Sequence, residues 1–175
     1  MSCNFYGRLH SLLVQSGNFS AVTACSMPDP SRARRKIWLP HLLSIVRPGD
    51  VVVGHSSGAQ AAMRLAEVMP LRAAVLVSAC HSDLGDEGER AAGWYPPEGG
   101  PWEWETIKRN CGSILQFHSE DDPFIAMEEA RVVHENTNST FFEFENLSHF
   151  FDEGTADVIS ERIFEMMKQS KEEGV

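Results

Sequence analysis

The pentad Gly54-His55-Ser56-Ser57-Gly58 places a serine between glycines two residues to either side. It follows the apolar run 51–53 (VVV) directly and precedes an alanine-rich stretch at 59–66. A serine on a strand-to-helix turn holds its hydroxyl clear of the sheet, and the flanking glycines let the two backbone segments pass without a Cβ clash. The chemistry such a turn serves is nucleophilic attack on an acyl carbonyl. Ser56, at the centre of the pattern, is the candidate nucleophile, and the backbone N–H of Ser57 at the start of the following helix is the candidate oxyanion donor. Two other uses of the pentad are a helix cap by Ser57 and a phosphate-cradling loop; the second would want more glycines and a lysine.

A serine nucleophile needs a base, and the base needs an acid to fix its tautomer; on a sheet carrying such a turn the chain order is serine, acid, histidine. Of the seven histidines only His118, His134 and His149 follow Ser56 by a wide margin. His134 lies in a helical run and reads as part of a solvated helix face. His118 ends a strand run just before the acids, too early for that order. His149 follows the last strand run and precedes the last helix, which makes it the candidate base. For the acid, Glu120, Asp121 and Asp122 follow one strand run, while Asp83 and Asp86 follow another. Asp122, stiffened by Pro123, is the first choice and Asp83 the second. The adjacent Cys80 and His81 would point to opposite faces of a strand end and make a poor thiol dyad. Trp94, Trp102 and Trp104 suit either a substrate wall or packing.

These side chains need a scaffold. Apolar or β-branched runs at 20–25, 51–54, 73–78, 113–117 and 140–144 have the length of buried parallel strands. Between them Ala59, Ala62, Met63 and Ala66 fall on one helix face, and near the end Ala156, Ile159, Ile163 and Met166 make a second stripe. Strands alternating with helices predict an α/β fold: a mostly parallel sheet covered on both faces, with chemistry at the carboxyl ends of its strands. The chain opens instead on a helix-like segment, 4–15, apolar at Phe5, Leu9, Leu12 and Leu13. Residues 94–104 (WYPPEGGPWEW) read as a surface excursion and 168–175 as a fraying charged end.

A length of 175 residues suits one domain, 1–175. Fifteen Lys+Arg against 25 Asp+Glu give a net charge of −10, the wrong sign for nucleic acid or an anionic membrane surface. The longest apolar stretch, 73–80, is too short to span a bilayer, and the first residues lack the pattern of a secretory signal. Cys3, Cys25, Cys80 and Cys111 show neither a C-x-x-C pair nor metal-ligand spacing. They read as buried free thiols, which predicts a cytoplasmic setting.

Seven segments in order carry a resemblance: MPDP (27–30), IWLP (37–40), GHSSGAQAAMRLAE (54–67), VLVSACHSDLGDE (75–87), PWEWETIKRNC (101–111), QFHSEDDPF (116–124) and SHF (148–150). Together they resemble the retinoblastoma-binding protein 9 family of serine hydrolases. The resemblance implies a three-layer α/β-hydrolase-like fold and hydrolysis of an ester, amide or related acyl bond in a small-molecule or peptide-like substrate. It implies an acyl-enzyme intermediate and no cofactor or metal. The family triad falls on Ser56, Asp122 and His149. Three departures stand out. Ser148 occupies the place of a glycine, and the stretch 95–100 is longer than the family's. The family's first, central strand and its Gly-rich loop, which brings the second oxyanion N–H, precede anything matched here. The expectation is therefore an N-terminally truncated hydrolase sheet, with a catalytically impaired form or an interaction protein that retains the triad as the alternative. None of the cysteines lies in Leu-x-Cys-x-Glu, so binding to a retinoblastoma pocket through that motif is unsupported.

Overall fold

A computed structural model describes the backbone of residues 5–172 and the side chains up to 169, which leaves Cys3 and Asn4 outside the described residues. Two compact units emerge, Met27–His149 and the pair of segments Met1–Ser26 with Phe150–Val175.

The first unit is built on four parallel strands, β1 (Val51–His55), β2 (Leu71–Val77), β3 (Cys111–Ser119) and β4 (Thr140–Phe144), whose order in the sheet is their order in the chain. β2 and β3 are buried along almost their whole length, which is why they read as continuous apolar runs. β1 forms one edge and is half-exposed through its three valines. The register pairs His55 with Val77, Val77 with Phe117 and Ser119 with Phe144, so the strands reach their carboxyl ends together. The turns that follow them therefore share one rim.

Helices α2 (Arg35–Ile45), α3 (Ser57–Ala66), α4 (Glu87–Ala92), α5 (Trp104–Asn110) and α6 (Met127–Thr137) complete this unit. α3 packs on β1 and β2. Ala59, Ala62, Met63 and Ala66 are all buried, and three of the four are small enough to bring the helix close to the sheet.

Two expectations are corrected. Residues 20–25 form neither strand nor helix. Most of this stretch is exposed, so water can satisfy its N–H and C=O groups without a partner strand, and none of its residues joins the four-stranded sheet. The stretch 94–104 is not a surface excursion, since Trp94, Tyr95 and Trp102 are buried. The reason is Arg64, itself 1% exposed, whose guanidinium donates to the carbonyls of Trp94, Gly100 and Pro101 and to Glu67. It also lies 3.8 Å over the Trp102 ring. One buried cation thus gathers carbonyls that would otherwise need water.

In the second unit α1 (Phe5–Ser16) packs against α7 (Thr155–Glu172). α1 buries Phe5, Leu9 and Leu13 at four-residue intervals, while Leu12 is half-buried. α7 buries the expected stripe of Ala156, Ile159, Ile163 and Met166 and runs on into the segment expected to fray. Arg8 and Asp157 join the two helices by two 2.8 Å hydrogen bonds, an exposed pair that solvent and salt screen. Among the described residues no helix is long and apolar enough to cross a membrane.

Candidate active site

β1 ends at His55, and Ser56 is the residue from which α3 starts. Its backbone has φ 54° and ψ −126°, a region that non-glycine residues rarely visit and that costs on the order of 1–3 kcal/mol. The neighbours hold it there. Ser56 N–H donates to the Val77 carbonyl at 2.9 Å, and the Ser56 carbonyl accepts from Ala59 N–H at 2.7 Å. The Gly54 glycine has a steric cause, since a Cβ there would run into the Gly58 carbonyl. With its amide turned to satisfy both of its ends, Gln60 accepts from Cys80 N–H at 3.0 Å and donates to the Ser56 carbonyl. Ser57 is the first helical residue, so its N–H has no partner within α3.

His149 follows β4. Its Nδ1 lies 2.8 Å and 3.0 Å from the two carboxylate oxygens of Asp122. A carboxylate only accepts, so Nδ1 carries the proton and Nε2 of the neutral ring keeps its lone pair. Both side chains are almost out of water, at 6% exposure for His149 and none for Asp122. Burial pushes the Asp122 carboxyl up, but hydrogen bonds from His149 and from the N–H groups of Phe124 and Ile125 outweigh it. The net position is below the ordinary carboxylate value.

His149 is tied to the serine turn through the residue before the serine. His55 Nε2 donates to the His149 carbonyl at 2.8 Å, and the two rings lie 4.7 Å apart. Burial, and after it the charge on a protonated His149, push His55 down to about 4, so it stays neutral.

A rat protein described as Serine hydrolase RBBP9 is 43% identical over 148 residues, which cover 83% of this chain and 77% of the rat protein. The chain belongs to this serine hydrolase family. Among solved structures, the ydeN gene product of B. subtilis superposes with a TM-score of 0.77 at 20% identity, covering 94% of this chain and 91% of its own. Mouse alpha/beta hydrolase domain-containing protein 10 gives 0.58 at 14% identity over 85% and 75%. At such identities these two speak for the fold alone, which is the α/β-hydrolase fold expected from the sequence. No family model matches the chain.

In this member of the RBBP9 family the other candidates serve other purposes. Asp83, the second-choice acid, binds Arg90 at 2.8 Å and Gly85 N–H at 2.9 Å. Asp86 caps α4 by accepting from Gly88 and Glu89 N–H. His118 is fully buried and donates from Nε2 to the Ile125 carbonyl at 2.9 Å. His134 is half-buried against Ser139 and Phe141 rather than solvated. Cys80 is buried beside Tyr95 with its thiol pushed up to about 12, chiefly by that burial, while His81 faces Glu129. Of the remaining cysteines Cys111 is buried and free, but Cys25 is exposed, contrary to expectation. Trp94 and Trp102 pack, and their indole N–H groups go to the Ala33 and His81 carbonyls.

Asp121, one of the candidate acids beside Asp122, binds the loops instead of the histidine. Its Oδ1 accepts from Ser119 Oγ at 2.5 Å and from Ser148 N–H at 2.8 Å, and Ser119 Oγ in turn accepts from Leu147 N–H at 2.9 Å. This splint joins the loop bearing Asp122 to the loop bearing His149. Ser148 has φ 48°, a backbone conformation that glycine adopts at no steric cost.

Proposed function

We propose that this chain hydrolyses an ester, amide or related acyl bond, with Ser56 as nucleophile, His149 as general base and acid, and Asp122 as the group that orients His149. The observation that carries the reading is the buried Asp122 to His149 contact, which puts the proton on Nδ1 of a histidine whose ring packs against His55, the residue before Ser56.

The sequence of steps follows from those roles. His149 Nε2 takes the Ser56 hydroxyl proton as Oγ attacks the acyl carbon. The carbonyl oxygen becomes an oxyanion, and Ser57 N–H at the start of α3 stabilises it. Asp122 stabilises the imidazolium formed meanwhile and keeps its tautomer. Collapse of the tetrahedral adduct expels the alcohol or amine, which leaves with the proton from Nε2. Water then attacks the acyl-enzyme with the same histidine as base, releasing the acid and restoring Ser56. Every proton transfer is met by these side chains, so the scheme needs no cofactor. The substrate is a small-molecule or peptide-like acyl compound, and free Cys80 and Cys111 suit a reducing cytoplasm.

A fluorophosphonate probe tests this by phosphonylating an activated serine. Labelling of the native chain that disappears in Ser56→Ala is expected; labelling that persists in Ser56→Ala would overturn the assignment.

A further inference from the structure

The residue two places after Asp122 is an aromatic that the hydrolytic scheme leaves unused. Phe124 is 61% exposed, yet its ring stands edge-on to the His149 imidazole, with centroids 5.0 Å apart and planes 75° apart. It is also held in place. Its own N–H donates to Asp122 Oδ1 at 3.0 Å, the N–H of Ile125 donates to the same oxygen at 3.1 Å, and the Ile125 side chain is buried. The carboxylate that orients the base thus also fixes the backbone carrying an exposed aromatic ring beside that base. A large apolar group kept in water at this place gains most when a ligand covers it.

The chemistry selects which part of a ligand. Asp122 occupies Nδ1, so proton delivery to the departing atom is from Nε2. That atom must come within about 3 Å of Nε2. Its substituent is then the part of the substrate nearest the imidazole and the Phe124 ring beside it, whereas the acyl part is bonded to Ser56. We propose that Phe124 is a specificity-determining residue that receives an apolar, preferably aryl, leaving group. This rests on the assignment of Ser56, Asp122 and His149 made above.

The test compares native enzyme, Phe124→Ala and Phe124→Leu on three esters: 2-naphthyl acetate, trifluoroethyl acetate and trifluoroethyl 2-naphthoate. The first two differ in the leaving group, the last two in the acyl group. In Phe124→Ala the preference in kcat/KM for the aryl over the small leaving group should fall about tenfold or more, chiefly through KM, with Phe124→Leu in between. The preference between the two acyl groups should move far less. An equal fall on all three esters would make Phe124 a support for His149 and overturn the proposal, as would a loss that follows the acyl group. Fluorophosphonate labelling separates the two readings. If Ser56 is labelled in native enzyme and Phe124→Ala alike while the leaving-group preference is unchanged, the triad stands and the Phe124 proposal fails. If the native chain neither labels nor hydrolyses any ester, both fail.

Discussion

The turn after β1 and the loops after β3 and β4 hold their reactive side chains by different means. Asp122 and His149 sit within a web of side-chain bonds to backbone N–H groups, in which Ser119 and Asp121 tie one loop to the other. Ser56 depends mainly on backbone geometry, with one side-chain contact from Gln60: a strained φ and ψ, a glycine contact and the first turn of α3, all at the end of an edge strand with half-exposed valines. Asp122 and His149 are thus positioned by polar contacts that can be removed one at a time. Ser56 is positioned chiefly by the path of the backbone itself.

This contrast can be broken first at the acid. Asp122→Asn keeps an acceptor for Phe124 and Ile125 N–H but presents an amide to His149, which favours the wrong tautomer. A fall in kcat on the order of 1,000- to 10,000-fold is expected, whereas Asp83→Asn should stay within about twofold. Steady-state hydrolysis of an activated ester reads both, and comparable effects at the two positions would remove the distinction between them.

The next largest effect contrasts inner and edge strands. Leu76 in β2 is fully buried, so Leu76→Ala should cost about 2–5 kcal/mol, while Val51→Ala on half-exposed β1 should cost about 1 kcal/mol or less. Urea unfolding of the two variants gives the comparison directly. A larger loss at Val51 would mean that β1 is not an edge.

The pH dependence sharpens the account of His55. Its folded value of about 4 lies below the ordinary 6.5, so the unfolded chain binds its proton more readily. The stability it confers is complete above 6.5 and is lost as the pH falls toward 4. Asp122, also lowered, contributes stability above the ordinary carboxylate range that is lost on further acidification. Between pH 7 and pH 4.5 native protein should lose on the order of 1–3 kcal/mol more than His55→Gln, measured by urea midpoints. Parallel losses would show that His55 titrates normally. The smallest effect lies at Ser148, where φ 48° suits glycine: Ser148→Gly should stabilise by about 0.5–1 kcal/mol, visible as a small rise in Tm.

What the sequence shows of this molecule follows the same division. The runs behind β1 to β4 and the stripes of α3 and α7 were legible because burial imposes a period on residue type. The Gly54 to Gly58 pentad was legible because a close backbone approach demands glycine at Gly54. Residues 20–25 have strand composition but pair with no strand of the sheet, and pairing is a property of the partner as much as of the segment. Arg64 was invisible because a basic residue in an alanine-rich helix looks solvated until the carbonyls that surround it are known. Asp121 was hidden by its neighbour: in Glu120-Asp121-Asp122 residue type alone does not say which carboxylate faces the histidine and which one splints the loops.

The central claim is that Ser56 is the nucleophile in an acyl transfer activated by His149 and Asp122. Intact-mass measurement of the chain after brief exposure to 2-naphthyl acetate, followed by peptide mapping, tests it most directly. The account predicts a transient single acetyl adduct on Ser56 that is absent in His149→Ala. An adduct on Ser57, Ser82 or Cys80, or one that forms equally well without His149, would contradict it.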